Sequence, residues 1–234
     1  MNHLYVIGTP IGNLEDITAR ALAVLSSVDC VLCEDTRVTK KLLDKYNISV
    51  KTMSYHGHST ISKISEIVEL LKSGKNLALV SDAGTPAISD PGSELIKIIR
   101  RELNAEISEG KLKIESIPGP SALTASLSIS GVPVSRFTFL GFLPHKKGRE
   151  KIFSEIYDSE YTYVFYESTH RIMKTLQSLL EKSKTTQKTK TITVCKEITK
   201  IFEEVVQGSE SDVLEYFSKN FDKVRGEFVV IVSQ

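Results

Sequence analysis

Three short segments place groups that could do chemistry where a chain turns. Gly8-Thr9-Pro10-Ile11-Gly12 follows the apolar run Leu4 to Gly8. Its spacing is neither G-x-G-x-x-G nor G-x-x-x-x-G-K-[ST], so it reads neither as a dinucleotide fingerprint nor as a nucleoside triphosphate loop. Ser81-Asp82-Ala83-Gly84-Thr85-Pro86-Ala87-Ile88-Ser89-Asp90-Pro91-Gly92 follows a second apolar run and holds more turn-forming residues than a plain connection needs. Small residues let backbone amides approach a ligand, and Asp82 could accept a hydrogen bond from a ribose hydroxyl or an amino group. The same stretch would serve equally as a long turn with capping aspartates. Glu34-Asp35-Thr36-Arg37 sets two adjacent carboxylates beside a guanidinium, which could orient a substrate or cap a following helix.

Other groups point to less. Cys30-x-x-Cys33 has the spacing of a redox or zinc pair, but on a strand positions i and i+3 face opposite sides of the sheet. A redox pair sits at a helix start and a zinc site needs four ligands. His56-Gly57-His58 could add two, yet they read better as surface or substrate-contacting groups, and no metal site is expected.

The elements that must carry these segments follow from periodicity. Leu4 to Gly8, then Ile17, Ala21, Leu22 and Leu25 at helical spacing, read as strand, turn, helix. Cys30 to Cys33 followed by Val38 to Tyr46, and Leu77 to Val80 followed by Pro91 to Leu103, repeat the pattern. Asp90 is placed to cap a helix whose first turn holds Pro91. Ser62 to Leu71 is a further amphipathic helix, and Lys113 to Ile117 a closing strand. Such alternation predicts a parallel sheet covered by helices, with ligands bound beyond the carboxyl ends of its strands.

Pro118-Gly119-Pro120 then breaks the chain, and Ser121 can cap the next helix. Beyond it, strand-like runs at Phe137 to Leu140, Tyr161 to Tyr166, Ile192 to Cys195, Glu203 to Val206 and Phe228 to Val232 are joined by only three helical stretches. Some neighbouring strands must therefore be antiparallel. The reading is an N-terminal α/β domain over residues 1–117 and a mixed α/β domain over 118–234, with Ser183 to Thr191 as a mobile, lysine-rich surface loop.

Ordinary proportions of hydrophobic (41%) and charged (25%) residues exclude a disordered or fibrous chain. No apolar run nears the roughly 20 residues of a membrane-spanning helix. The opening Met1-Asn2-His3-Leu4 lacks the basic and apolar regions of a secretory signal. Three cysteines, an odd count, fit a reducing compartment, so a cytoplasmic location is expected. Net charge is only +1, and any nucleic-acid footprint must be local. Three clusters qualify: Arg37, Lys40, Lys41 and Lys45; Lys146, Lys147, Arg149 and Lys151; Lys182, Lys184, Lys188 and Lys190. They could neutralise phosphates or form solvated helix faces.

Read in order, the segments from Gly8 to Leu14, Glu34 to Arg37 and Ser81 to Gly92 form one series with Pro118-Gly119-Pro120-Ser121-Ala122 and Ser130-Gly131-Val132-Pro133. The series continues through Gly141-Phe142-Leu143-Pro144, Tyr166-Glu167-Ser168, Lys196 to Lys200 and Arg225-Gly226-Glu227-Phe228. It resembles the tetrapyrrole methylase superfamily, in the branch that methylates ribose 2'-hydroxyls of 16S ribosomal RNA, over nearly the whole chain. Thr169 stands where the pattern has proline, Ser59 where it has asparagine, and Lys196-Glu197-Ile198 where it has Arg-Glu-Leu.

The resemblance implies two α/β domains with a donor cleft between them, a homodimer, S-adenosylmethionine as methyl donor and a cytidine of 16S ribosomal RNA in the small subunit as substrate. Carried over residue by residue, it implies donor contacts from Thr9, Pro10, Asp82, Ala83, Gly84, Thr85, Ile88, Ser121, Ala122, Phe165, Tyr166, Glu227 and Phe228. Catalytic or transition-state roles would fall to Glu34, Asp35, Arg37, Lys196 and Glu197, with Asp82 a further candidate base. A tetrapyrrole substrate is the rival within the fold, disfavoured because Gly8-Thr9-Pro10 departs from the G-x-G-x-G-D opening of that branch. A non-catalytic RNA-binding assembly factor is the rival outside enzymes, disfavoured by the retained loop from Asp82 to Pro86.

Overall fold

Apolar residues that recur at two spacings along the first half resolve into five parallel strands with helices on both faces. The computed structural model describes residues 1–57 and 59–234; His58 lies outside the described residues. The chain divides into two units, Met1–Ser121 and Ala122–Gln234.

In the first unit the order is β1 (Asn2–Ile7), α1 (Ala19–Leu25), β2 (Cys30–Cys33), α2 (Thr36–Lys45), β3 (Lys51–Ser54), α3 (Ile61–Lys72), β4 (Leu77–Leu79), α4 (Gly92–Glu102), α5 (Asn104–Ser108) and β5 (Leu112–Ile117). The sheet order is β3-β2-β4-β1-β5, and every pairing is parallel. Because side chains alternate along each strand, Leu4, Cys30, Leu32, Leu77 and Leu79 pack beneath Ile67, Leu71, Leu95 and Ile99. Ile7, Val31, Cys33, Ala78 and Val80 pack on the other face against Ala21, Leu25, Leu42 and Leu43. Cys30 and Cys33 thus lie in different core layers.

The edge strand β3 has no counterpart in the sequence reading. Only Met53 of its four residues is buried, too little apolar signal to mark a strand before β2 supplies its hydrogen bonds. The fourth helix also begins differently. Pro91 is its N-cap, and the Asp90 carboxylate accepts the Gly92 N–H at 2.6 Å and the Ala87 N–H at 2.9 Å. Asp90 still satisfies the helix start, while the left-handed backbone at Ala87 and Ser89 (φ 70° and 65°) coils the loop ahead of it.

The second unit runs α6 (Ala122–Ile129), β6 (Phe137–Phe142), α7 (Arg149–Asp158), β7 (Thr162–Ser168), α8 (Ile172–Thr186), β8 (Thr191–Lys196), β9 (Glu204–Gly208), α9 (Glu210–Lys219) and β10 (Glu227–Ser233). Its sheet has the order β6-β7-β10-β8-β9; β6 and β7 are parallel and the remaining pairs antiparallel. Tyr163, Phe165, Ile192, Val194, Phe228, Val230 and Val232 pack into one core with Phe153, Ile156, Leu176, Leu179, Val213 and Phe217.

Ser183 to Thr191 is not a loop throughout. Helix α8 continues to Thr186, because Leu179 and Ser183 are buried and the Ser183 hydroxyl donates to the Lys188 carbonyl at 2.8 Å. Lys190 is only 5% exposed and its ammonium donates to the Ser159 carbonyl at 2.7 Å. The lysine cluster there accordingly loses one of its four cations to the interior. Among the described residues, no helix is long and apolar enough to cross a membrane.

Candidate active site

Parallel pairing brings the carboxyl ends of β1, β2, β4 and β5 to one edge of the first sheet, and with them the three chemistry-bearing loops of this unit. The Gly8-Thr9 turn is bonded to the Ser81–Gly92 loop as a short antiparallel bridge, Thr9 N–H to Gly84 carbonyl at 2.9 Å and Gly84 N–H to Thr9 carbonyl at 3.1 Å. The buried Thr9 hydroxyl donates to the Ser81 carbonyl at 3.1 Å. Thr85 donates to the Pro120 carbonyl at 3.2 Å, so the Pro118–Ser121 segment belongs to this edge. Gly8 and Gly119 touch backbone to backbone: a Cβ on Gly119 would stand 2.6 Å from the Gly8 carbonyl oxygen. A side chain at either position would force the two backbones apart.

The acidic pair after β2 is split by its surroundings. Asp35 caps α2 through the Arg37 N–H at 2.8 Å and receives the Arg37 guanidinium on both oxygens. The side-chain bond to Arg37, helped by the Arg37 backbone N–H, holds its pKa down to about 2. Asp35 is ionised at neutral pH and a poor base there. Glu34 instead is pushed upward, first by burial and further by the carboxylates of Asp90 and Asp82, against a backbone bond from Asp82 and the charge of His56. Asp82 joins the two loops. Its carboxylate accepts the Asp35 N–H at 3.0 Å, and its own N–H points to Glu34 at 3.4 Å. Ala83 and Ile88, in the same loop, stay exposed. Backbone amides, a carboxylate and an apolar side chain on one edge can hold a small ligand that carries both polar and apolar groups. Ser59 closes the neighbouring turn, its hydroxyl accepting the His56 N–H at 2.9 Å, which gives that departure from the family pattern a structural role.

In the second unit, antiparallel pairing gathers the end of β7, the end of β8 and the start of β10. Glu197, with φ 51°, accepts the Glu227 N–H at 3.0 Å and the Lys200 ammonium at 2.8 Å, and Lys200 also reaches Glu227 at 2.9 Å. Burial would raise Glu197, but the bonds from Lys200 and the Glu227 N–H outweigh it and hold the carboxyl below its usual range. Thr169 donates to the Gly226 carbonyl at 2.6 Å, a bond that proline at this position could not make.

Glu167, fully buried, takes Arg171 at 2.8 Å, Arg149 at 3.3 Å and the Thr175 hydroxyl at 2.6 Å. The arginines in turn donate to the carbonyls of Leu143 at 2.7 Å and Pro144 at 3.4 Å. Arg149 is therefore a brace inside the fold, and the basic cluster after Pro144 keeps Lys146, Lys147 and Lys151 outside.

The expected site residues thus fall into two groups. Thr9, Pro10, Glu34, Asp35, Arg37, Asp82, Ala83, Gly84, Thr85, Ile88 and Ser121 share the edge of the first unit. Ala122, Phe165, Tyr166, Lys196, Glu197, Glu227 and Phe228 belong to the second. There the side chains of Phe165 and Phe228, 0% and 2% exposed, are committed to the core beneath the helices. Those two positions offer a ligand their backbone only, since neighbouring strand residues face opposite sides. Lys196 is 5% exposed, with its ammonium 3.2 Å from the Phe202 carbonyl. The sequence reading held Gly8, Gly119 and Glu167 within its motifs but named none of them as a site residue. For the glycines the cue was their place at strand ends, within two residues of a proline.

The model of the tetrapyrrole (corrin/porphyrin) methylases matches residues 3–214. A protein of Thermotoga maritima called ribosomal RNA small subunit methyltransferase I is 41% identical over 233 residues, 100% of this chain and 99% of that protein. The Bacillus subtilis protein of the same name is 41% identical over 99% of this chain and 75% of its own length. Among solved structures, a cobalt precorrin-4 methyltransferase of cobalamin biosynthesis superposes with a TM-score of 0.70 at 18% identity, over 99% of this chain and 94% of that one. A putative diphthine synthase from Entamoeba histolytica gives 0.63 at 17%, over 99% and 92%. The fold is common to all of these, and the full-length identity is to the ribosomal RNA enzymes: the chain belongs to the tetrapyrrole methylase family, as a methyltransferase of the ribosomal RNA small subunit methyltransferase I group.

Proposed function

We propose that this protein transfers a methyl group from S-adenosylmethionine to the ribose 2'-hydroxyl of a cytidine in 16S ribosomal RNA of the small subunit, as a cytoplasmic homodimer whose two α/β units are its domains. The observation that carries this reading is identity of about two residues in five, over the whole chain, to relatives named for that RNA subunit. Bound S-adenosylmethionine supplies a methyl activated on a sulfonium centre. The chain's own residues then have to hold and orient. Asp82 accepts from the donor's polar hydrogens, the amides of Ala83 and Thr85 meet its carboxylate, and Ile88 covers an apolar surface. Holding reactants in attack geometry contributes roughly 7–11 kcal/mol, more than the ~10²- to 10⁴-fold typical of a general base. Glu34 is the proposed base, its carboxylate Oε taking the 2'-hydroxyl proton, because it is the partly desolvated acid of the edge. Asp35 and Arg37 hold each other and the start of α2; Glu197 and Lys200 brace the second unit, and Lys196, buried with its ammonium on the Phe202 carbonyl, holds the turn after β8 instead of a substrate phosphate.

The test is incubation with labelled methyl donor and small ribosomal subunits from a strain lacking the endogenous enzyme, with the product mapped by mass spectrometry. A label on one ribose 2'-oxygen is expected. Donor binding without RNA labelling would transfer the reading to another acceptor, such as a tetrapyrrole.

A further inference from the structure

Strand β6 ends in a structural irregularity that the proposed methyl transfer does not use. Its register against β7 shifts between Phe139 and Phe142, and Gly141 within the shift has φ 61°. In a regular strand, residues three apart face opposite sides. Here both rings meet the same partner, Phe139 at 5.0 Å and Phe142 at 5.4 Å from the Tyr166 ring, each edge-on. The bulge has turned Phe142 onto the Tyr166 side while leaving it 57% exposed. Bulges re-aim side chains in this way near functional sites. A large aromatic ring held by an edge-on neighbour and more than half exposed can serve as a stacking platform.

The segment just after Phe142 is cationic. His145, Lys146 and Lys147 are exposed, and Lys151 joins them on the first turns of α7 against the single acid Glu150. This stretch is anchored at its root: the carbonyls of Leu143 and Pro144 are held by Arg171 and Arg149, which converge on buried Glu167. An exposed ring followed four and five residues on by exposed lysines, in a segment anchored at its root, is a combination that suits single-stranded nucleic acid, the ring stacking on a base and the ammonium groups meeting the flanking phosphates.

We infer that Phe142 stacks on a nucleobase of the substrate RNA, in a single-stranded stretch, while Lys146 and Lys147 neutralise adjacent phosphates. The inference rests on the proposed RNA substrate. Single-stranded RNA is chosen over a protein partner because the charge on residues 143–151 is positive apart from Glu150, and over duplex RNA because stacking needs an unpaired base.

The experiment measures equilibrium binding and methylation of small ribosomal subunits from a strain lacking the endogenous enzyme, using the full chain. Phe142→Ala should weaken subunit binding about 10-fold, from the loss of one base stack, and Phe142→Trp should restore it. The cooperative denaturant-unfolding transition should be retained in both, which reports that the variants are folded. Lys146→Ala with Lys147→Ala should weaken binding and flatten its logarithmic salt dependence by about 1.4, two phosphate contacts at ~0.7 each on a single strand. Wild-type binding by Phe142→Ala, failure of Phe142→Trp to rescue, or an unchanged salt slope would overturn the inference while subunit methylation by the wild type left the proposed function standing. If the wild type neither bound nor methylated the subunits, both would fall together.

Discussion

A Cβ placed on Gly226 would stand 2.2 Å from the carboxyl carbon of Glu197, and Gly226 itself has φ +86°. The glycine before Glu227 is therefore the space that Glu197 occupies, and two motifs distant in sequence are one packed unit. Gly226→Ala should displace Glu197 from Lys200 and the Glu227 N–H and lower methylation. Adding Glu197→Ala removes the clash, so the double variant should be more stable than Gly226→Ala alone. A double-mutant cycle on denaturant unfolding measures this coupling; strictly additive effects would contradict it.

Gly8→Ala and Gly119→Ala each drive a methyl into the opposing backbone at 2.8 Å and 2.6 Å. Overpacking of this kind costs roughly 1–3 kcal/mol. Denaturant unfolding should show the loss, and titration calorimetry should show weaker donor binding, because the turn that carries Thr9 is what moves.

Glu34→Gln should lower single-turnover methylation by about 10²-fold or more while raising the thermal midpoint at neutral pH. Burial lifts this carboxyl above its unfolded value, so its contribution to stability is full below the unfolded pKa and is lost as pH rises through the folded one. The stabilising effect of the amide should then vanish as the pH falls below the ordinary carboxylate range. The wild-type rate should decline with acidification earlier than an unperturbed glutamate predicts. Asp35→Asn should show neither the rate loss of a base nor this gain.

Removing Glu167 leaves two guanidinium groups facing a buried gap. Glu167→Ala should destabilise by roughly 3–5 kcal/mol, the usual cost of breaking a buried pair, read from denaturant unfolding. Thr175→Val, which removes one hydroxyl donor from the same carboxylate, should cost less.

Cys30, Cys33 and Cys195 are 2%, 0% and 0% exposed. Burial raises all three thiols, Cys195 to about 11. A thiol reagent should label none in the native protein at neutral pH and all three in denaturant, and reductant should leave the thermal midpoint unchanged.

Periodicity and turn chemistry by themselves determined the two α/β halves, the parallel first sheet, the loops at its carboxyl edge and the opposite facing of Cys30 and Cys33. These follow from local rules: side-chain alternation, helical spacing, and the conformations that Gly and Pro allow. The family series of motifs determined the branch to which the chain belongs.

Only the tertiary structure decided which charged and aromatic groups remain free to act. Asp35 and Glu34 are neighbours of the same chemistry, and the return of Arg37 onto one and the burial of the other separate them. Arg149 and Lys190 look like surface cations in a lysine-rich context, yet Glu167 and the Ser159 carbonyl draw them inside. Phe165 and Phe228 look available and are core, while Phe142 is turned outward by a bulge that its sequence marks only with Gly141. Most of these outcomes depend on a partner many residues away, and a contact of that range leaves no periodic trace in the local sequence.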